Sequence, residues 1–115
     1  MILELRRLYS PELPHLGEVP RDPSRACVMV YAEVGVAGTT GADTFYFSVC
    51  TRKWLEEELE RKSIVFGHGR IIVETFDWDV VSEAIEGLVR GIEAATWEQA
   101  VEKLRLVASW DREGL

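Results

Sequence analysis

No run of apolar residues in this 115-residue chain approaches the roughly 20 needed to cross a bilayer. Cysteine is scarce: Cys27 and Cys50 are the only two, and neither has CxxC or Cys/His ligand spacing, which disfavours a disulfide scaffold and a thiolate metal site. On a hairpin they would share one sheet face, where a bridge could form, but a reducing cytosol would keep them as free thiols. Histidine occurs twice, at His15 and His68, which leaves little for general acid–base chemistry. Positive charge is also in deficit, thirteen Lys and Arg against twenty Asp and Glu, for a net charge of -7. A field of that sign repels the phosphate backbone, so it argues against direct nucleic-acid binding and would help attract a basic protein. The segment Met1–Arg7 puts Glu4 inside its apolar stretch and lacks a signal-peptide layout, so the cytoplasm is the expected location, with no membrane partner.

What is present suits one globular unit spanning residues 1–115. Apolar residues make up 47% of the chain, enough for one real core at this length and too little for two comfortable ones. Ile2, Glu4, Arg6 and Leu8 alternate with Leu3, Leu5, Arg7 and Tyr9, so the first strand carries charge on both faces and belongs near an edge. All four prolines, Pro11, Pro14, Pro20 and Pro23, fall in the following segment of residues 10–24, which reads as a loop. Ala26, Val28, Val30, Ala32, Val34 and Val36 form the apolar face of a second strand. After the turn residues Gly38–Gly41, a third strand returns through Phe45, Phe47 and Val49, whose aromatics should oppose those valines.

Thr51 then stands where it can cap a helix beginning at Arg52 and carrying Trp54, Leu55 and Leu59. A fourth strand is expected over Arg70–Phe76, and Asp77 or Asp79 can cap a second helix. That helix repeats Val80, Val81, Ala84, Ile85, Leu88, Val89 and Ile92 as a core stripe. Thr96 with Gln99 opens a third, with Trp97, Ala100, Val101, Leu104 and Val107 inward. The expected fold is α+β: an antiparallel four-stranded sheet with three helices packed on one face, in the order β-β-β-α-β-α-α.

The pattern offers no catalytic set, no cofactor motif and no metal cluster. Cys50, at a helix N-terminus, and His68 are the only imaginable thiolate pair, and nothing in their spacing marks a dyad. Gly67-His68-Gly69 precedes a strand rather than a helix and so lacks phosphate-loop geometry. A non-enzyme that works by binding protein is the better reading. Its candidate contact residues are acidic and aromatic. Asp77, Asp79, Glu83 and Glu86 open the second helix, the last three sharing a face at i, i+4 and i+7. Glu56, Glu57 and Glu60 follow on the first helix, although solvated helix faces have the same composition. Tyr31 and Tyr46 fall on the semi-polar sheet face and suit aromatic anchors.

An ordered set of short segments carries a family resemblance over essentially the whole chain. It comprises Leu5–Pro11, then Phe45-x-Phe47-x-Val49-Cys50-Thr51-x-x-Trp54-Leu55, and Phe66-Gly67 before Ile71-Ile72-Val73-Glu74. Thr96-Trp97-Glu98 and Trp110 complete it. In these the chain resembles the immunity protein 8 family of bacterial polymorphic toxin systems, departing from it at Arg52, where proline would be expected at the first helical position. The resemblance implies a small cytosolic protein that binds a cognate toxin domain and blocks it stoichiometrically. Acidity tilts that toxin toward a nuclease, whose cleft for phosphates is basic. The rival expectation is a small acidic adaptor or regulatory module unrelated to toxins.

Overall fold

A computed structural model describes residues 1–112. Five strands and three helices follow in the order β1 (Leu3–Tyr9), β2 (Cys27–Val36), β3 (Asp43–Thr51), α1 (Arg52–Lys62), β4 (Arg70–Val73), α2 (Trp78–Arg90), α3 (Trp97–Arg105) and β5 (Ser109–Trp110). The class is α+β, as expected, with β1 at an edge and β2 paired between β1 and β3. In the β2–β3 hairpin Val28 faces Val49, Val30 faces Phe47 and Ala32 faces Phe45, so the β3 aromatics oppose the apolar face of β2, as expected. All six side chains are buried. Burying each phenylalanine is worth about 1.5–3 kcal/mol.

The sheet is mixed and five-stranded rather than antiparallel and four-stranded. β4 runs parallel to β3, pairing Ser48–Thr51 with Arg70–Val73. The reason is connectivity: α1 carries the chain back along the sheet, so the next strand starts from the same end as β3. β4 is shorter than expected and stops at Val73; Phe76 lies beyond it, buried in the core. β5 was not anticipated, because two residues, Ser109 and Trp110, carry no readable alternation. They pair antiparallel with Tyr46 and Phe45, so β4 and β5 share one edge of β3 end to end.

Two helices cover the core face, not three. Val81, Ile85 and Val89 of α2 and Ala100, Val101 and Leu104 of α3 are buried against the inward residues of β1, β2 and β3. α1 has no buried residue. Its Trp54 ring lies 5.4 Å from the Arg70 guanidinium, which in turn reaches the Cys50 sulfur on the face turned away from the core. Val80 and Ala84, expected inward, are exposed because the buried seam of α2 is narrower than its full apolar stripe, and Val107 is exposed because α3 ends at Arg105, before reaching it. Ala108, past the end of α3, takes the core position instead.

The caps are local and legible. Thr51 accepts the Trp54 N–H to open α1 and also the Ala26 N–H, so one buried hydroxyl joins the helix start to β2. Asp77 accepts from Asp79 and Val80. Thr96 accepts from Gln99, whose own side chain reaches the Ala95 N–H rather than that of the cap residue.

β1 departs from simple alternation. Leu5 pairs with Val34 and Arg7 with Glu33, which leaves Arg6 as the extra residue of a β-bulge. Leu3, Leu5 and Leu8 therefore all meet the core, whereas Arg7 and Tyr9 register with Glu33 and Tyr31 on the other face. Arg6 itself folds over the β2–β3 turn, donating to the carbonyls of Val36, Thr39 and Gly41 at 2.7, 2.8 and 2.9 Å. Gly35 makes room for it: a Cβ there would stand 2.6 Å from the Gly41 oxygen and 2.8 Å from the guanidinium carbon.

Arg6→Ala should lower the unfolding free energy by about 1–3 kcal/mol in urea titration, because the turn carbonyls lose charged donors. Gly35→Ala should cost about as much by crowding the same guanidinium. The double variant should lose little more than either single one, since both act on one contact; strictly additive losses would disprove the shared cause.

Candidate functional site

α2 and α3 cover one face of the sheet, and α1 meets the other only at the end where Trp54 and Arg70 lie, so the rest of that face is left to solvent. On this sheet the uncovered face is where the chain places its three tyrosines, the only ones it has. Tyr9 on β1, Tyr31 on β2 and Tyr46 on β3 are direct cross-strand neighbours in one row. Tyr9 and Tyr31 meet edge to face with ring centres 5.4 Å apart, and Tyr31 and Tyr46 do so at 4.6 Å. Such contacts lock the rings into one arrangement and leave all three half-buried. Arg7 lies over the Tyr9 ring, 4.1 Å from its centre, and reaches toward Glu33 at 3.5 Å.

Beside this ladder is a cleft of about 230 Å³ lined by Met29, Tyr31, Tyr46, Ser48, His68, Gly69 and Ser109. Gly69, with φ of +73°, adopts a left-handed conformation that glycine accommodates, and its carbonyl takes the Ser48 N–H at 2.7 Å. That turn brings His68 to the rim. Its Nε2 donates to the Arg105 carbonyl at 2.8 Å, since a carbonyl can only accept. Burial, with the nearby Asp111 carboxylate and the other two phenols, raises the Tyr46 pKa above its ordinary 10.0.

The acidic candidates are scattered rather than gathered. Asp77 is spent as the α2 cap. Glu86 pairs with Arg90 at 2.7 Å, Glu56 with Arg52 at 2.9 Å and Glu57 with Arg25 at 2.8 Å. Asp79, Glu83 and Glu60 are exposed and have no ion-pair partner among the described residues. Because α2 packs through Val81, Ile85 and Val89 on the core face, its acids and the tyrosine ladder occupy opposite layers of the molecule. The structure therefore brings together Tyr31 and Tyr46 of the expected set, and adds Tyr9, Arg7, Met29 and His68.

Tyr9 escaped the sequence reading because strict alternation put it on the side of Leu3 and Leu5. Charge on both faces of the strand hinted at a break in its alternation, but only the pairing places it: the one-residue bulge at Arg6 leaves a clean apolar face of Leu3, Leu5 and Leu8. The imagined Cys50–His68 pair does not assemble, since the Cys50 sulfur faces Cys27 and Arg70 while His68 is bonded to Arg105. Among the described residues no group of three or more His, Cys, Asp or Glu is placed to hold a metal ion. This face thus combines rigid aromatic rings, flanking charge of both signs and a cleft.

Tyrosinate absorbance in an alkaline titration reports this face alone, because every tyrosine lies in it. One ionisation should come above the ordinary tyrosine value of about 10, and Tyr46→Phe should abolish that late phase. A late phase that persists in the variant would place the perturbed phenol elsewhere.

A family model described as Immunity protein 8 matches residues 3–114 of the chain. No curated protein and no solved structure matches it.

Proposed function

The chain belongs to the Immunity protein 8 family, and from that premise we propose that it neutralises a cognate toxin domain by seating it on the tyrosine face of the sheet. Immunity proteins of this kind generally act against a toxin, so the partner is a protein. The observation that supports this particular face is the ladder of Tyr9, Tyr31 and Tyr46, held edge to face and left uncovered by the helices. Tyrosine is a preferred hot-spot residue because it offers a large contact area at small entropic cost and keeps a polar tip.

Inhibition is stoichiometric and non-enzymatic in this reading, and takes place in the cytoplasm, where the toxin would otherwise act. Among the described residues no helix is long and apolar enough to cross a membrane. Protection from a lethal enzyme calls for affinity near nanomolar or tighter, about -12 kcal/mol. The net charge of -7 favours a toxin with a basic surface, of which a nuclease cleft is the leading case. Ring faces accept cations, as Arg7 over Tyr9 already demonstrates within the chain. The exposed acids Asp79, Glu83 and Glu60 would then act at long range, hastening encounter more than strengthening the docked complex.

The toxin domain encoded beside this chain should form a one-to-one complex with it and lose its activity. Tyr31→Ala with Tyr46→Ala should weaken that complex at least about 100-fold while the variant keeps its fold by circular dichroism. Asp79→Lys with Glu83→Lys should slow association at low salt and change dissociation by less than about threefold. The opposite pattern would move the interface to α2. Failure of the wild type to bind would sink the immunity reading and leave an adaptor for some other protein.

A further inference from the structure

Cys27 and Cys50 are direct cross-strand partners on β2 and β3, at the end of the hairpin next to the strand–helix junction. The neighbouring rung, Ala26 opposite Thr51, is closed by the Thr51 N–H donating to the Ala26 carbonyl at 2.9 Å. The cysteines therefore occupy the next rung, of the non-hydrogen-bonded kind, where opposing side chains approach closest. Their sulfurs are 3.0 Å apart. One guanidinium nitrogen of Arg70 lies 3.1 Å from the Cys50 sulfur and 3.9 Å from that of Cys27. The Arg70 group is held by the Phe66 carbonyl and by the face of Trp54. Access is unequal: Cys50 is fully buried, while Cys27 is partly open to solvent.

We infer that this pair is a modification site, a dithiol that hydroperoxides oxidise to a reversible disulfide across the hairpin. Cys27 is the sulfur a peroxide can reach. The hydrogen bond from the Cys50 thiol, aided by the Arg70 charge and opposed by burial, lowers the Cys27 pKa to about 7. The same hydrogen bond and burial push the Cys50 thiol upward, so it keeps its proton. The Cys27 thiolate attacks one oxygen of the peroxide, forming an S–O bond and breaking O–O; the departing alkoxide or hydroxide takes a proton and leaves as alcohol or water. The Cys50 sulfur then attacks the Cys27 sulfur, forming S–S and breaking S–O. The hydroxyl leaves with the Cys50 proton as water. Two electrons pass from the thiols to the peroxide, and the resolving sulfur is already in place, so Cys27 is spared further oxidation. The bridge ties β2 to β3 beside Thr51, where α1 begins. This site is independent of the reading of the tyrosine face.

Exposure of the reduced protein to a small excess of hydrogen peroxide, followed by intact mass and peptide mapping, tests the inference. The expected product has lost about 2 Da, with both thiols consumed together and Cys27 joined to Cys50, and dithiothreitol reverses it. Its Tm should rise by about 5 °C or more, because closing the loop restricts the unfolded chain. Cys50→Ser should instead stop at a gain of about 16 Da on Cys27 that a sulfenic-acid trap captures. Arg70→Gln should slow the first step about tenfold without lowering the final yield of disulfide. A wild-type protein that gains oxygen without cross-linking, or whose Cys27 reacts no faster than free glutathione, would overturn the assignment.

Discussion

One extra residue in the first strand governs what each face of this sheet becomes. Without the bulge at Arg6, β1 would carry Leu3, Leu5, Arg7 and Tyr9 on one side, driving an arginine into the core and leaving Leu8 outside. With it, Leu3 is buried, the partly buried Leu5 and Leu8 pack against the core, and Arg7 and Tyr9 turn outward beside Glu33 and Tyr31. The displaced Arg6 side chain is not idle, since it supplies donors to three carbonyls in the turn between β2 and β3. Bulge, turn and aromatic row are thus one linked feature. Gly35, where a side chain would collide with the guanidinium, is part of it.

The two faces then take on different work. α2 and α3 seal one side through Val81, Ile85, Val89, Ala100, Val101 and Leu104, and this burial holds the sheet together. α1 serves as the crossover that makes β4 parallel to β3, and contributes no buried residue. Its contact with the sheet runs through Trp54 and Arg70 to the two sulfurs, so the outer face carries the thiol pair toward one end and the tyrosines farther along the same strands. Neither group is required by the core.

Much of the scaffold was legible from residue order. The β2–β3 register followed from valines and aromatics at period two, because a one-residue slip would expose all of them. Thr51 and Thr96 could be named as caps, and the α2 cap narrowed to Asp77 or Asp79, because a short side-chain oxygen satisfies orphan N–H groups without reference to anything distant. The resemblance carried by Thr51, Trp54, Thr96 and Trp97 agreed with the match over residues 3–114. The acidic residues were a different matter. Sequence spacing put Asp79, Glu83 and Glu86 on one helix face, but it could not show that Asp77 caps the helix, that Glu86 pairs with Arg90, or that the helix lies on the far side of the sheet from Tyr31 and Tyr46.

The sequence by itself determined the class of the fold, the β2–β3 pairing, the helix starts and the acidic balance, because periodicity, capping and net charge depend on near neighbours or on composition alone. The tertiary structure alone decided the parallel placement of β4, the pairing of β5, the outward turn of Tyr9 and the meeting of Cys27, Cys50 and Arg70. Each of those depends on where strands distant in the chain come to rest, and no local preference of Arg6, Arg70 or Ser109 specifies that.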